Sequence, residues 1–182
     1  MLIGQKVILR PVKRSDITNF LKWFNDPEVI QYLFFYLPMT EMAEEKYVEG
    51  LANNAGTDVN FVIEAIEQNG NKAIGSISLN GIHPKDHLAT FGIAIGEKDY
   101  WNKGYGTEAC RLIINYGFEQ LNLHRISSTA YSFNERSIRM HLSVGFKEEG
   151  RQREAAFKNG KYCDKVVFGL LRKEWESNVE RK

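Results

Sequence analysis

Cysteine is scarce in this chain of 182 residues: Cys110 and Cys163 are the only two, far apart, and form no CxxC pair. Such sparse thiols exclude a disulfide framework and point to reduced cysteines in a reducing compartment. Proline is equally thin, with four residues scattered along the chain, and no Pro-, Gly- or Ser-rich linker divides it. Neither sign of charge dominates, because 24 Lys and Arg face 23 Asp and Glu for a formal charge of +1. No bulk field therefore pulls the chain toward nucleic acid or anionic lipid. The longest apolar stretch, Tyr32 to Leu37, is far short of the roughly 20 residues that span a bilayer. Met1 to Lys6 lacks the basic-then-apolar run of a secretory signal. What is present, 43% hydrophobic and 26% charged residues, is ordinary for a globular chain. The expectation is one cytoplasmic domain over 1–182, ordered over about 2–175, with a polar tail at 176–182.

Hydrophobic spacing and turn residues mark the elements. Val7–Pro11 reads as a first strand. Ser15 or Asp16 can cap a helix through Phe20, Leu21 and Phe24, Asp26-Pro27 opens a second short helix, and Thr40 caps a third that runs to about Asn53. Phe61–Ile66 and Ala73–Leu79 flank Asn69-Gly70, a hairpin signal. Leu88–Ile95 is a strand with Phe91, Ile93 and Ile95 on one face and Thr90, Gly92 and Ala94 on the other. A helix is expected from about Gly104 to Leu121, a strand over His124–Tyr131, and a helix over Asn134–Val144 stopped by Gly145. Phe146–Phe157 and Tyr162–Leu171 flank Asn159-Gly160, a second hairpin, and the chain frays beyond Trp175. Strand–helix–strand order demands a parallel pair, whereas hairpins demand antiparallel neighbours. The fold class is therefore α/β, more closely an α+β mixed sheet, mostly antiparallel, with helices on its faces.

Trp101-Asn-Lys-Gly104-Tyr-Gly106-Thr-Glu-Ala109 lies between a strand and the long helix. Closely spaced glycines let backbone N–H groups at a helix start turn toward an anion, and the macrodipole and Lys103 add positive charge. A phosphate or pyrophosphate is the natural guest, though two glycines can also make only a tight turn. Gly104 to Ala109 formally fits the dinucleotide pattern G-x-G-x-x-G/A. The strand ends too far upstream, and Leu123 to Ala130 holds no ribose-binding acid. A P-loop is absent, since no Gly-Lys-Ser/Thr occurs.

The same loop resembles the acyl-CoA pyrophosphate loop, R/Q-x-x-G-x-G/A, of the GNAT superfamily of N-acetyltransferases, with Trp101 where the general pattern has Arg or Gln. Its Trp-x-Lys-Gly-Tyr-x-Thr-Glu-Ala form is similar to the Rim-type branch of ribosomal-protein N-terminal acetyltransferases, with spermidine acetyltransferases nearby. Asn134-Glu-Arg-Ser-Ile138 with Val144-Gly-Phe146 resembles the second family motif. Asn159-Gly-Lys-Tyr162, Asp164 and Leu170 to Trp175 resemble the closing hairpin, and Leu9-Arg-Pro11 with Asp16 the opening. The resemblance implies acetyl-CoA as co-substrate, no metal, no direct nucleic-acid or membrane partner, and an amine acceptor, either a protein N-terminus or a small molecule such as spermidine. It leaves a homodimer open. It also implies that the strand Phe91–Ile95 splays from His124–Tyr131, opening a slot for the pantetheine arm. Ile93, Ala94 and Ile95 would line that slot, with backbone groups of Ile93 and Ile95 free for pantetheine amides. Backbone N–H groups of Lys103, Gly104, Tyr105, Gly106 and Thr107 would hold the pyrophosphate, Trp101 and Asn102 would join them in binding the cofactor, and Asn134 and Ser137 would lie beside the sulfur end.

Acetyl transfer needs a neutral amine, a stabilised oxyanion and a tolerated thiolate. The backbone N–H near Ile93 is the expected oxyanion donor. Asn134, Ser137 and His141 share one helix face. Many relatives carry a Tyr acid at the position matching His141. Here Ser137, His141 and solvent all remain candidates for proton donor, imidazolium being the stronger acid by reference pKa. Relatives often place a Glu base at the position of Thr90; a water chain or Glu154 would have to substitute, and Glu154 also reads as a plain surface charge. The missing acid favours an α-amino acceptor, which is easier to deprotonate than a polyamine. Cys110 and Cys163 do not look like acyl-carrying nucleophiles, so transfer would be direct. A catalytically silent CoA-binding sensor is the reading from another class. His83 and His87 flank Pro84 with no third ligand close in sequence. The aromatics Trp23, Phe24, Tyr32, Phe34, Phe35 and Tyr36 read either as core or as an acceptor wall. Glu41, Glu44 and Glu45 read either as a solvated helix face or as attraction for a cationic acceptor.

Overall fold

Alternating apolar residues put two different surfaces on one sheet, and helices cover each. The computed structural model describes residues 1–51 and 56–179. The elements run β1 (Leu2–Ile3), β2 (Val7–Pro11), α1 (Ile17–Phe24), α2 (Pro27–Ile30), α3 (Glu41–Gly50), β3 (Val59–Ala65), β4 (Lys72–His83) and β5 (Leu88–Ile95). Then come α4 (Tyr105–Glu119), β6 (Arg125–Tyr131), α5 (Glu135–Val144), β7 (Lys147–Lys158), β8 (Lys161–Leu171) and α6 (Arg172–Val179). Eight strands form one sheet in the order β1-β2-β3-β4-β5-β6-β8-β7, antiparallel throughout except for the β5–β6 pair.

On one face Phe61, Ile63, Ile77, Leu79 and Phe91 pack with Ile113, Ile114 and Phe118 of α4. The period-two pleat sends Val62, between Phe61 and Ile63, to the opposite face, where it meets Phe20, Trp23 and Phe24 of α1. Phe91, Ile93 and Ile95 side with the α4 core, while Ala94 packs against the α1 cluster. Small residues here partly answer a helix: a Cβ on Gly96 would lie 2.0 Å from the Trp23 ring.

Most expected elements form, with corrections at their ends. Asp16 does not cap α1. Its carboxylate takes both Nη groups of Arg10 at 2.7 Å and the Lys13 N–H at 2.7 Å, because Arg10, 8% exposed, needs a buried counter-charge. Glu64 completes this cluster at Arg10 Nε. Burial works to raise the Asp16 pKa, but the Arg10 and Lys13 bonds outweigh it and hold the carboxyl below its usual range. Thr40 caps α3 through the Ala43 N–H, and the helix ends at Gly50; the expected end at Asn53 lies outside the described residues. The chain does not lose structure after Trp175, since α6 continues to Val179 with Trp175 packed near Phe118.

Candidate active site

The β5–β6 pairing covers Leu88↔Arg125, Ala89↔Ile126 and Thr90↔Ser127 and then stops. From Phe91 onward the strands diverge, giving the sheet an internal slot. Register decides which backbone groups face it. Ile95 pairs with Gly75, and the Gly96 N–H donates to the Ile74 carbonyl, so Ile95 occupies a non-hydrogen-bonded position against β4. Alternation then turns the amides of Ile93 and Ile95, beyond the last β5–β6 pair, away from β4 and into the slot. Ser128 lies 3.2 Å from the Phe91 carbonyl, and the Trp101 indole N–H donates to the Ile95 carbonyl at 2.7 Å. That second bond gives the Ile95 C=O one donor from within the protein, and its other lone pair stays open. The backbone of Ile93, beyond the last β5–β6 pair, has no partner strand on the slot side.

Asn102 (φ 59°) and Gly104 (φ 87°) take left-handed conformations, which turn the loop sharply into α4. The first helical bond runs from the Glu108 N–H to the Gly104 carbonyl, so the N–H groups of Tyr105, Gly106 and Thr107 have no intrahelical acceptor. A Cβ at Gly106 would meet only Ile95 and Ile93 side chains at 3.5 and 3.7 Å, an ordinary contact. Protein packing therefore does not demand glycine there, and the bare backbone suits a close-approaching anion such as the CoA pyrophosphate. Lys6 Nζ donates to the Lys103 carbonyl and steadies the loop from outside.

These parts open onto one cleft of about 820 Å³. Ile93, Ala94, Ile95, Trp101, Asn102, Gly104, Gly106 and Thr107 line it, as do Asn134, Ser137 and His141. Lys103 and Tyr105 lie outside the lining; Tyr105 instead packs edge-on against Tyr100 at 5.1 Å. Arg136, which spacing did not single out, is sandwiched 4.1 Å from the Trp101 ring and 4.7 Å from that of Tyr32. These contacts join α5, the glycine loop and the segment after α2, and no sequence pattern marks them.

Asn134 caps α5 by accepting the Ser137 N–H at 3.2 Å, and Gly145 (φ 114°) ends the helix. His141 is 2% exposed, stacked on Phe168 with ring centroids 4.6 Å apart. Its Nδ1 lies 2.7 Å from the Ser137 carbonyl, which only accepts, so the ring proton sits on Nδ1. Nε2 lies 2.8 Å from Ser128 Oγ, whose one hydroxyl proton is shared between this nitrogen and the Phe91 carbonyl at 3.2 Å. Burial pushes the imidazole pKa down, against a smaller opposing effect of the Ser137 bond. The result is a neutral, enclosed ring, which works against the imidazolium donor weighed above. Ser137 Oγ is half-buried at the cleft, 3.3 Å from Nδ1. Glu154 is exposed on β7 and outside the lining, where its N–H donates to Asp164. Cys110 is fully buried in α4, and burial drives its thiol pKa far up.

The aromatic cluster divides between the two roles. Trp23 is core and Tyr36 is 83% exposed, whereas Phe24, Phe34 and Phe35 line the far arm of the cleft and Tyr32 lines it beside Trp101. Of the three acids, Glu41 is exposed and Glu45 reaches Arg14 at 3.8 Å, but Glu44 is 1% exposed and faces the cleft.

Residues 6–147 match the family model described as an acetyltransferase (GNAT) domain. A spermidine N(1)-acetyltransferase of Escherichia coli K12 is 30% identical over 176 residues, covering 94% of this chain and 89% of that protein. A putative ribosomal N-acetyltransferase, YdaF of Bacillus subtilis, is 39% identical over 102 residues, 56% of this chain and 55% of its own. The crystal structure of spermidine N-acetyltransferase from Vibrio cholerae, in complex with CoA and spermine, superposes with a TM-score of 0.85 at 26% identity, covering 94% of this chain and 98% of that one. The divided sheet, the glycine-led helix and the family match lead to one conclusion: this chain belongs to the GNAT family of acetyl-CoA-dependent N-acetyltransferases.

Proposed function

We propose that the chain transfers acetyl directly from acetyl-CoA to a primary amine in a ternary complex, the two substrates entering opposite arms of one cleft. The carrying observation is the continuity of that cleft from the α4 N-terminus, through the β5–β6 slot, to the aromatic arm under α1 and α3. Cys110 is sealed in the core, so an acyl-cysteine relay through it has no route.

Bound acetyl-CoA supplies an activated thioester. The N–H groups of Tyr105, Gly106 and Thr107, aligned with the α4 dipole, hold its pyrophosphate. The Ile93 N–H, pointing into the slot and unpaired with β6, donates to the oxyanion as the amine adds. Ser137 hydrogen-bonds the departing thiolate and relays it a proton from water, so that the hydroxyl is restored as the thiol forms. His141 serves as its positioning partner, fixing the first turn of α5 through the Ser137 carbonyl and the slot through Ser128. With Thr90, which cannot act as a base, at the closed end of the slot and Glu154 elsewhere, the ammonium proton leaves by water. The resemblance to both Rim-type and spermidine enzymes supports either a protein N-terminus or a small amine as acceptor; a cytoplasmic location fits both.

An assay with acetyl-CoA and a panel of polyamines, aminoglycosides, free amino acids and short peptides tests the reading. Acetylation of at least one primary amine is the expected result. Thermal stabilisation by acetyl-CoA with no transfer across the panel would favour the CoA-binding sensor instead.

A further inference from the structure

The acceptor arm is largely apolar, and one charge in it is out of place. Helix α3 carries several acids. Glu45 and Glu49 reach Arg14 at 3.8 and 3.3 Å, which accounts for them as surface pairs. Glu44 reaches no cation among the described residues. It is 1% exposed, lines the cleft, and its Oε1 has no hydrogen-bond partner among the described residues. Leaving a buried carboxylate in this state is unfavourable unless a cation pairs with it or it takes up a proton, and burial accordingly pushes the Glu44 pKa up. Among the described residues Glu44 ties no two elements together, so a purely structural role gives no return. Its neighbourhood is suited to a ligand: Phe24, Phe35 and Tyr47 supply apolar and aromatic surface, and the Tyr47 hydroxyl is fixed by donation to Asn60 at 3.2 Å.

We propose that Glu44 is the acceptor-selecting residue, holding a positive charge of the acceptor that is separate from the nitrogen that reacts. This rests on the transferase reading above and narrows its acceptor to aliphatic amines with a second cationic centre. The spacing comes from the sheet. Asn60 pairs with Ser78, and Ser78 with Gly92, so the three form one row across β3, β4 and β5, and all line the cleft. Two strand spacings put Asn60 about 10 Å from Gly92. Glu44 lies on the Asn60 side, near Tyr47, whose phenol pKa is raised first by burial and then by the Glu44 and Asp58 charges, whereas the Ile93 amide follows Gly92 at the other end. A charge held at Glu44 and an amine presented at Ile93 are therefore separated by several methylenes. The same separation prevents the ion pair from keeping the reacting nitrogen protonated. Between the ends, Ser76, Ser78 and Asn80 offer polar contacts along the floor.

The test measures binding by calorimetry and, separately, kcat and KM with acetyl-CoA. The probes are α,ω-diamines from 1,4-diaminobutane to 1,10-diaminodecane, each beside the monoamine of equal length. Wild-type protein should prefer the best diamine over its monoamine by at least about thirtyfold, mostly in KM, with a clear length optimum. Glu44→Gln, which keeps shape and removes charge, should bring the pair within about threefold while leaving the KM for acetyl-CoA unchanged. Glu44→Asp withdraws the charge by one methylene and should move the optimum to a longer diamine. That readout stands even if the Gln variant folds poorly. Equal use of diamine and monoamine by wild type, or a preference that survives Glu44→Gln, overturns the proposal. So does a short peptide with no cation beyond its N-terminus being acetylated as well as the best diamine. Diamine-selective binding without any acetyl transfer would instead overturn the transferase reading and leave the role of Glu44 intact.

Discussion

The two arms of the cleft differ in how fully their polar groups are satisfied. On the CoA side Trp101 is bonded to Ile95, Arg136 is stacked between two rings, Asn134 caps α5, and both nitrogens of His141 are engaged. On the acceptor side Phe34 and Phe35 are 50% and 41% exposed and the Glu44 Oε1 is unpartnered. A site for an invariant ligand can be finished in advance, which reduces the ordering cost on binding. A site that discriminates among amines must keep its decisive contact for the ligand itself.

The largest test strikes the foundation both arms share. Arg10→Met strands the Asp16 carboxylate in the core and should cost about 3–5 kcal/mol, lowering Tm by roughly 10 °C. Because Asp16 is held below its unfolded value near 3.9, the wild-type contribution is present above that pH and fades as pH falls through the lower folded value. The variant should lose this acid limb in pH-dependent denaturation.

Next comes the CoA arm alone. Gly106→Ala adds a methyl at ordinary contact distance from the protein, so CoA affinity should drop about a hundredfold, ~2.7 kcal/mol, with Tm nearly unchanged. Intact CoA binding in this variant would break the assignment of the loop. Within the slot, Ser137→Ala should lower kcat by about thirtyfold, toward the weak end of general-acid effects, and spare the KM for both substrates. An unchanged kcat would make solvent the direct proton donor.

The smallest effect concerns His141. Its folded pKa lies below the reference near 6.5, so the unfolded chain binds the extra proton first. Stability should be full above that pH and decline as the solution becomes more acidic. His141→Phe should flatten the decline, and the pH profile of kcat in wild type should show no imidazole limb near 6.5.

Legibility from sequence was uneven for physical reasons. Asn159-Gly160 takes left-handed angles at both residues (φ 52° and 78°), and Gly145 stops α5, because these conformations depend on the residues themselves. Asp16 was misread as a cap because its true partner, Arg10, is brought close only by folding. β1, two residues long, has no periodicity to detect. The face assignment along β5 followed from alternation, but the point of divergence from β6 is a tertiary register that no window of residues carries. Glu44 was visible only as one acid among Glu41 and Glu45, since burial, not identity, distinguishes it. Arg136 was missed because its partners, Tyr32 and Trp101, lie in distant segments.

Lys158, at the tip of the β7–β8 hairpin, donates to the main-chain carbonyls of Ile30 (3.1 Å) and Phe35 (2.6 Å). The mooring ignores which side chains the tethered segment bears. Replacements at Phe34 or Phe35 can thus redraw what the mouth admits while the anchorage stays put. Lineages built on such a tether are free to wander among amines without renegotiating the scaffold.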